Sequence, residues 1–290
     1  MATFHSSQYW LSLEGRVDDF EIESKIAKVK AGLEGEAIFQ KQLPVHPRIP
    51  YLQNFYFNPY HPLEIDFLII NRNQLLLFEI KHFIGDYTFE GGDLRSSSDF
   101  RIPNPLSQLT KQSNALRQLL QQESLNLPMS AHLVFTNPNF TLTGSIPNRD
   151  HILLPTELHK IPSLFKRPIT KDFQTRDLLQ SHSLGHYPLS QKPIKYTGVK
   201  PGIKCPGCKK VGHIYVGRRK KYVDCTFCHS RLRRADLYLY NINELYYLKG
   251  EPFTAKEAQS WLGEGDDTTI RVLLKKNYKF HKSRNTLYSL

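Results

Sequence analysis

Two apolar runs flank a polar tetrapeptide in residues 64–81, which read EIDFLIINRNQLLLFEIK. The tetrapeptide, NRNQ at residues 71–74, is turn-like, so the two runs are predicted to pair as an antiparallel hairpin. The predicted strands are Glu64 to Ile70 and Leu75 to Phe83. A loop of two residues and a loop of four residues give the same register between the strands. This register places Asp66 opposite Glu79.

This register predicts a cluster of charged side chains on one face of the hairpin. Opposed residues in an antiparallel pair point to the same face, with Cβ atoms about 4.5 to 5.5 Å apart. Lys81 lies two residues beyond Glu79 and therefore shares that face. Two carboxylates among apolar strands call for a cation, and Mg²⁺ typically binds one or two protein carboxylates. An edge-strand ion pair, with Asp66 at the rim, is the alternative that the spacing leaves open.

The segments on both sides of the hairpin predict a mixed α/β domain. Residues 21–43 have apolar residues at helical spacing, and a second helix is predicted from Asn104 and Pro105 to about Gln122. Further strands are predicted at residues 132–136 and 151–154. The order helix, hairpin, helix, strand is typical of a mixed α/β fold.

Four ordered motifs resemble the nuclease-related domain (NERD) family. They are GLEGE at residues 32–36, Asp66 followed by Glu79-x-Lys81, FEIKHFIG at 78–85, and NPLSQ at 104–108. The second motif is similar to the PD-(D/E)xK nuclease signature. The resemblance covers about residues 31–136 and implies a restriction-endonuclease-like mixed sheet flanked by helices, with phosphodiesterase activity.

The resemblance also implies roles for individual residues. It assigns Asp66 and Glu79 as metal ligands and Lys81 as the catalytic lysine. Glu36 becomes an additional acid on the first helix, and Gln108 becomes a polar residue that faces the site. On helical position alone, Glu36 and Gln108 are more often explained as solvated surface residues. His82 departs from the family pattern, which more often has an amide there, and strand alternation points it away from the Glu79 face.

All four cysteines lie in two close pairs, Cys205-x2-Cys208 and Cys225-x2-Cys228, separated by 16 residues. This is the spacing of a structural Zn²⁺ site with four thiolate ligands. Disulfides are the alternative, which a reducing cytosol opposes. The pairs resemble a zinc ribbon or topoisomerase-type zinc finger.

Positive charge is concentrated around these cysteines. Residues 200–234 contain eleven Lys or Arg and one acid, Asp224, whereas the whole chain has a formal net charge of +12. Such a block favours a polyanionic partner, although a solvated basic surface is the plain alternative. The predicted nucleic-acid-binding residues lie between the cysteine pairs and are Arg218, Arg219, Lys220 and Lys221. Tyr215 and Tyr222 flank them and suit either base stacking or a small core.

The sequence predicts a chain of several parts. In order, these are an N-terminal extension (1–20), a NERD-like nuclease domain (21–165), a linker (166–200), a zinc-ribbon module (201–235) and a winged-helix-like unit (236–290). The last part rests on a capping box from Thr254 to Glu257, a second short helix and a closing hairpin.

These features predict a metal-dependent nuclease that uses Mg²⁺ or Mn²⁺ for catalysis and Zn²⁺ for structure, with DNA favoured over RNA as the substrate. A non-catalytic nucleic-acid-binding or regulatory protein on a nuclease-like fold is the alternative. No apolar run approaches the roughly 20 residues that cross a bilayer, and the first residues do not resemble a targeting signal, so a cytoplasmic protein without a membrane partner is expected. Whether two copies must associate to cut both strands stays open.

Overall fold

The computed structural model describes residues 6–57, 63–90, 92–185, 194–217, 220–263, 265, 267–282 and 286–290. The chain divides into two compact units. The first unit consists of Met1–Val29 and Pro188–Leu290, and the second unit of Lys30–Tyr187. Each unit has its own buried hydrophobic core.

The described helices, in chain order, are α1 (Ser6–Leu13), α2 (Phe20–Gln40), α3 (Pro105–Gln122), α4 (Thr170–Ser181), α5 (Arg234–Lys249), α6 (Ala255–Leu262) and α7 (Asp267–Asn277). The described strands are β1 (Tyr51–Phe57), β2 (Leu63–Asn71), β3 (Gln74–Lys81), β4 (Gly85–Glu90), β5 (Asp93–Ser96), β6 (Arg101–Ile102), β7 (Met129–Phe135), β8 (Phe140–Gly144), β9 (Ile152–Leu153), β10 (Tyr222–Asp224), β11 (Arg231–Arg233), β12 (Phe253–Thr254), β13 (Lys279–Lys282) and β14 (Thr286–Ser289). Short 3₁₀ helices lie at Arg149–His151, Pro155–Leu164 and Tyr196–Gly198.

One mixed sheet forms the centre of the second unit, in the order β1-β2-β3-β7-β9. Strands β1, β2 and β3 are antiparallel neighbours, whereas β3, β7 and β9 run parallel. Leu116 and Leu120 of α3 belong to the core on one side of the sheet, and Phe39 of α2 belongs to the core on the other. This confirms the predicted mixed α/β sheet flanked by helices.

The hairpin of β2 and β3 has the predicted register. Phe67 pairs with Phe78 and Ile70 with Leu75, and Arg72 and Asn73 form the two-residue turn. Both turn residues have positive φ (54° and 60°), the conformation whose twist matches that of paired strands. Their backbone N–H groups donate to the buried carboxylate of Asp172, at 3.0 and 2.9 Å.

Helix α3 begins where the sequence predicts. Asn104 is the N-cap, and its side-chain oxygen accepts a hydrogen bond from the Leu106 N–H at 2.9 Å. Pro105 follows at the first helical position, where a missing N–H costs nothing. The helix packs against β2 and β7, which brings its polar side chains close to the hairpin.

Residues 84–103 and 140–144 form structure that the sequence did not predict. They supply a four-stranded sheet in the order β6-β5-β4-β8. Its strands have only two to six residues, and although β4 and β8 alternate between exposed and inward side chains, each run is short.

Helix α4 lies within residues 166–200, where a linker is predicted. It contacts β1 and β2, and its Leu179 is fully buried in the core of the second unit. Asp172 near its start binds the β2–β3 turn. A segment with few apolar residues is held here by one leucine and one carboxylate.

A buried ionic network joins α1, α5 and the segment before the first cysteine pair. The Arg16 guanidinium donates to Glu244 Oε2 and Asn241 Oδ1, at 2.8 and 2.7 Å. The Lys204 ammonium lies 2.5 Å from Glu244 Oε1 and also donates to the Glu14 carbonyl at 2.8 Å. Tyr9, Leu13 and Arg16, which lie within the predicted N-terminal extension, are thus buried in the first unit.

The last part of the chain has winged-helix topology. Helices α5, α6 and α7 pack together, and the three-stranded sheet has the order β12-β14-β13. The predicted capping box is present, since the Glu257 N–H donates to Thr254 Oγ1 and the Thr254 N–H to Glu257 Oε2. Together with the cysteine cluster and the mixed sheet, this confirms the predicted fold class.

No helix in the part of the chain that the structure describes is both long enough and apolar enough to cross a membrane.

Candidate active site and metal centre

The β2–β3 hairpin brings Asp66, Glu79 and Lys81 together. The Ile80 N–H donates to Asp66 Oδ2 at 2.7 Å, and Lys81 Nζ donates to Glu79 Oε1 at 2.6 Å. Glu79 is buried, with 2% of its surface exposed, whereas the Lys81 side chain is 20% exposed. The three groups therefore line a partly open site at the ends of the two strands.

Two helices add the other predicted residues. Lys81 Nζ also donates to Gln108 Oε1 of α3, at 3.1 Å. Glu36 of α2 accepts a hydrogen bond from Gln53 Nε2 at 3.0 Å. Burial raises the pKa of Glu36, and the negative charge of Glu79 raises it further, although hydrogen bonds to the carboxylate act in the opposite direction. The structure thus groups all five predicted residues of this site.

The sequence interpretation missed Glu64. Its pKa is raised to about 7, first by burial and then by the charges of Glu36 and Glu79. Strand alternation could have identified it, because Glu64 lies two residues before Asp66 and so shares its face of β2.

Gln112 was missed as well. Its buried amide donates from Nε2 to Glu79 Oε2 at 2.6 Å and to the Glu64 carbonyl at 2.7 Å. Its position was available from the sequence, since Gln112 follows Gln108 by four residues on the same face of α3. Glu79 is consequently held at both oxygens, by Lys81 at one and Gln112 at the other.

The electrostatics of the cluster favour a bound cation. Burial raises the pKa of Asp66 well above its usual range, and the neighbouring Glu79 adds to the shift, while the Ile80 N–H and Lys81 oppose it. Four carboxyl groups share one ammonium in a poorly solvated place, so their ionised forms are unfavourable without a further cation. Carboxylate oxygens are donors that Mg²⁺ and Mn²⁺ prefer, and Asp66 and Glu79 match the one or two protein carboxylates that Mg²⁺ typically binds.

His82 has a structural role, in agreement with its predicted orientation away from Glu79. Its Nδ1 lies 2.8 Å from Thr136 Oγ1, and Asn137 Nδ2 lies 3.1 Å from its Nε2. Gly35 of α2 packs directly on this ring, because a Cβ at Gly35 would lie 2.8 Å from the His82 Cβ. The imidazole therefore fills the contact between α2 and the ends of β3 and β7.

The four cysteines converge on one point. The Sγ atoms of Cys205, Cys208, Cys225 and Cys228 all lie within 4.8 Å of one another, and no disulfide links them. Each pair forms the same tight turn, in which Lys209 donates its N–H to the Cys205 carbonyl and His229 donates to the Cys225 carbonyl. The cluster could hold a metal ion and is compatible with a zinc ribbon.

The basic residues predicted to bind nucleic acid are only partly described. Arg218 and Arg219 lie outside the described residues, whereas Lys220 and Lys221 are exposed. Tyr215 and Tyr222 are 71% and 44% exposed, so they are not core residues. The Arg231 guanidinium lies 5.2 Å from the Tyr222 ring centre.

A second basic and aromatic pair was not predicted. Phe227, between the cysteines of the second pair, is 51% exposed, and Lys210 Nζ lies 3.4 Å from its ring centre. The cysteine cluster thus displays aromatic rings next to cations at two places.

The comparison with protein families agrees with the motifs. The family model of the nuclease-related domain matches residues 31–136, which include the five predicted residues as well as Glu64 and Gln112. Searches of curated proteins and of solved structures found no match. The matched segment is therefore similar to a nuclease-related domain, and the cysteine cluster lies outside it.

Proposed function

We propose that this protein is a metal-dependent nuclease that hydrolyses phosphodiester bonds of nucleic acid, with DNA favoured over RNA. One observation carries the proposal: Asp66, Glu79 and Lys81 share one face of a hairpin inside the segment that matches the nuclease-related domain. A domain without catalytic function has no physical need for opposed carboxylates beside a lysine, since like charges in a buried place are unfavourable.

The proposed metal ligands are Asp66 and Glu79, with Glu36 and Glu64 beside them. A bound Mg²⁺ or Mn²⁺ would acidify a water molecule and stabilise charge on the scissile phosphate. Lys81 holds a positive charge where the phosphate oxygens would lie, and it can position the attacking water. Gln112 and Gln108 act on these groups indirectly, because they fix the orientations of Glu79 and Lys81.

The cysteine cluster is proposed to hold one Zn²⁺ and to present the basic residues that tether the substrate. Lys220, Lys221 and the arginines at 218 and 219 would contact phosphates, and the exposed rings of Tyr215 and Tyr222 would stack on unpaired bases. Tethering affects binding rather than the chemical step. Replacing these four basic residues by Ala should therefore reduce cleavage at limiting substrate and leave it little changed at saturation.

The decisive experiment incubates the purified full chain with plasmid, linear single-stranded DNA and RNA, with Mg²⁺, with Mn²⁺ or without either. Wild-type protein should cut at least one substrate, and only with a metal present. Asp66→Asn, Glu79→Gln and Lys81→Ala should each reduce the rate by at least about 100-fold, the size of effect that removal of one charge-stabilising group has in other enzymes. All three variants should still bind nucleic acid.

Lys171→Ala is the matched control for Lys81→Ala, because Lys171 is exposed on α4 away from the acids. It should cut at the wild-type rate. Near wild-type cleavage by any of the three site variants would show that the site is wrong. Binding without cleavage by the wild-type protein under every metal condition would favour the non-catalytic alternative.

A further inference from the structure

Helices α6 and α7 form a helix-turn-helix within the winged-helix part of the chain. Helix α6 ends at Leu262, the C-cap Gly263 turns the chain with a φ of +70°, and α7 begins at Asp267. Ile270 and Leu274 of α7 are fully buried, so one face of this helix is anchored in the core of the first unit. The opposite face is exposed.

That exposed face is basic. Arg271, Val272, Lys275 and Lys276 recur at helical spacing and are all exposed. All four residues of the neighbouring strand β13, Lys279–Lys282, are exposed as well. Residues 267–282 contain five Lys or Arg against one acid, Asp267, and that acid is bound to Arg271 at 2.7 Å. The α7–β13 surface, defined by these residues, therefore has four lysines in excess of its acids.

We propose that the α7–β13 surface docks double-stranded DNA, with α7 in the major groove and β13 beside the phosphate backbone. The second helix of a helix-turn-helix has the dimensions to enter the major groove of B-DNA, which is about 12 Å wide. The lysines of this surface are complementary to the phosphates on both sides of the groove. Val272, which is 59% exposed between these lysines, suits contact with a thymine methyl group.

Two other occupants fit the surface less well. Lysine is depleted in interfaces between proteins, whereas four exposed lysines dominate here. Double-stranded RNA has a deep, narrow major groove that an α-helix cannot enter. Both the charge and the shape therefore favour a DNA duplex.

The inference assigns double-stranded DNA as the substrate class of the proposed nuclease, and only this assignment rests on the proposed function. Docking itself needs no cleavage. It also separates two binding surfaces. The cysteine cluster displays exposed rings that suit unpaired bases, whereas α7 displays flexible cations and one small apolar side chain that suit a groove.

The test measures binding of the full chain to a fluorescent DNA duplex of about 24 base pairs and to an RNA duplex of the same sequence. Binding is measured over a range of salt concentrations, without added Mg²⁺ or Mn²⁺. Lys275→Ala/Lys276→Ala should weaken DNA-duplex binding by at least about tenfold. It should also flatten the plot of log affinity against log salt by up to about 1.8, since each lost duplex phosphate contact contributes about 0.9. Binding of the RNA duplex should be weaker and should change by less than about twofold, because α7 cannot enter its deep, narrow major groove.

Lys41→Ala/Lys171→Ala removes the same charge from exposed positions of the second unit and serves as the control. It should leave DNA-duplex binding unchanged. Because Lys275 and Lys276 are exposed, their replacement should preserve the fold, which an unchanged thermal unfolding midpoint would verify.

The inference is overturned if the α7 double variant binds the DNA duplex like wild-type protein, or if it loses RNA-duplex binding equally. Failure of the proposed nuclease gives a different result, namely duplex binding that depends on Lys275 and Lys276 without metal-dependent cleavage. A protein that cuts DNA but ignores these two lysines would retain the nuclease and refute the docking surface.

Discussion

Among the described residues, Glu244 is the acid that pairs with two buried cations of the first unit. Its two oxygens contact Arg16 and Lys204, at 2.8 and 2.5 Å, and both basic side chains are 0% exposed. Asn241 accepts a further hydrogen bond from Arg16, but it has no charge to offer. Burial lowers the pKa of Lys204 to about 8 even beside Glu244, so replacement of Glu244 by Leu leaves the Arg16 guanidinium buried without an anion and favours loss of the Lys204 proton.

The expected cost of Glu244→Leu is about 3 to 5 kcal/mol in the free energy of unfolding of the first unit, the range found when one partner of a buried ion pair is removed. Glu244→Gln should cost less, because its amide oxygen still accepts a hydrogen bond from one of the cations. Asp236→Asn on the same helix is the control, since Asp236 forms only an exposed pair with Arg233 at 3.8 Å. An exposed pair of this kind contributes at most about 1 kcal/mol.

Urea unfolding followed by tryptophan fluorescence measures this effect selectively. The chain has two tryptophans, Trp10 and Trp261, and both belong to the first unit. The Trp261 ring lies 4.4 Å from the Arg16 guanidinium, so its emission reports directly on the network. If Glu244→Leu unfolds within about 1 kcal/mol of wild-type protein, the network does not hold the first unit together and the ionic reasoning is refuted.

Three further predictions concern the metal centre, the acid cluster and pH. Cys228→Ser should lose about one equivalent of zinc per chain by elemental analysis, because three remaining thiolates bind zinc more weakly; full zinc retention would contradict this. Gln112→Leu should lower kcat more than it changes KM, because it removes the hydrogen bond that orients Glu79 without removing a contact to the substrate. Cleavage kinetics equal to those of wild-type protein would show that Gln112 does not position Glu79. His132 has its pKa lowered to about 4, first by burial and then by His151. The stability that neutral His132 contributes is present above pH 6.5 and is lost as pH falls towards 4. His132→Phe should therefore show a smaller fall in the thermal unfolding midpoint over that pH range than wild-type protein. An identical fall would refute the assignment.

The hairpin and its register were predictable because several local rules agree. The apolar runs on both sides of residues 71–74 fix the strand lengths, and an even-numbered turn fixes which residues oppose each other. Asp66, Glu79 and Lys81 then follow from strand alternation alone. Helix α3 was equally accessible, since Asn104 and Pro105 form a standard helix start.

The remaining structure depends on contacts between distant residues. Helix α4 has a weak apolar pattern and is stabilised by burial of Leu179 and by Asp172 binding a turn about 100 residues earlier. The strands β4, β5, β6 and β8 have only two to six residues, so the alternation in β4 and β8 is too short to identify them without the partners that the sheet provides. Arg16 shows the same limit, because its partners Asn241 and Glu244 lie more than 220 residues away.

The distribution of charge between the two units gives a reason for the chain to have both. The second unit has 15 basic and 14 acidic residues, and four of those acids surround the proposed active site. Because its net charge is close to zero and the site itself is acidic, this unit attracts a polyanion weakly. The first unit has 24 basic and 13 acidic residues. Its basic residues are concentrated at the cysteine cluster and along the α7–β13 surface. An acidic site attracts phosphate weakly until a divalent ion neutralises it, so residues outside the site are expected to supply much of the substrate affinity. In the proposed function, the surplus charge of the first unit would provide that affinity without neutralising the carboxylates on which the proposed chemistry depends.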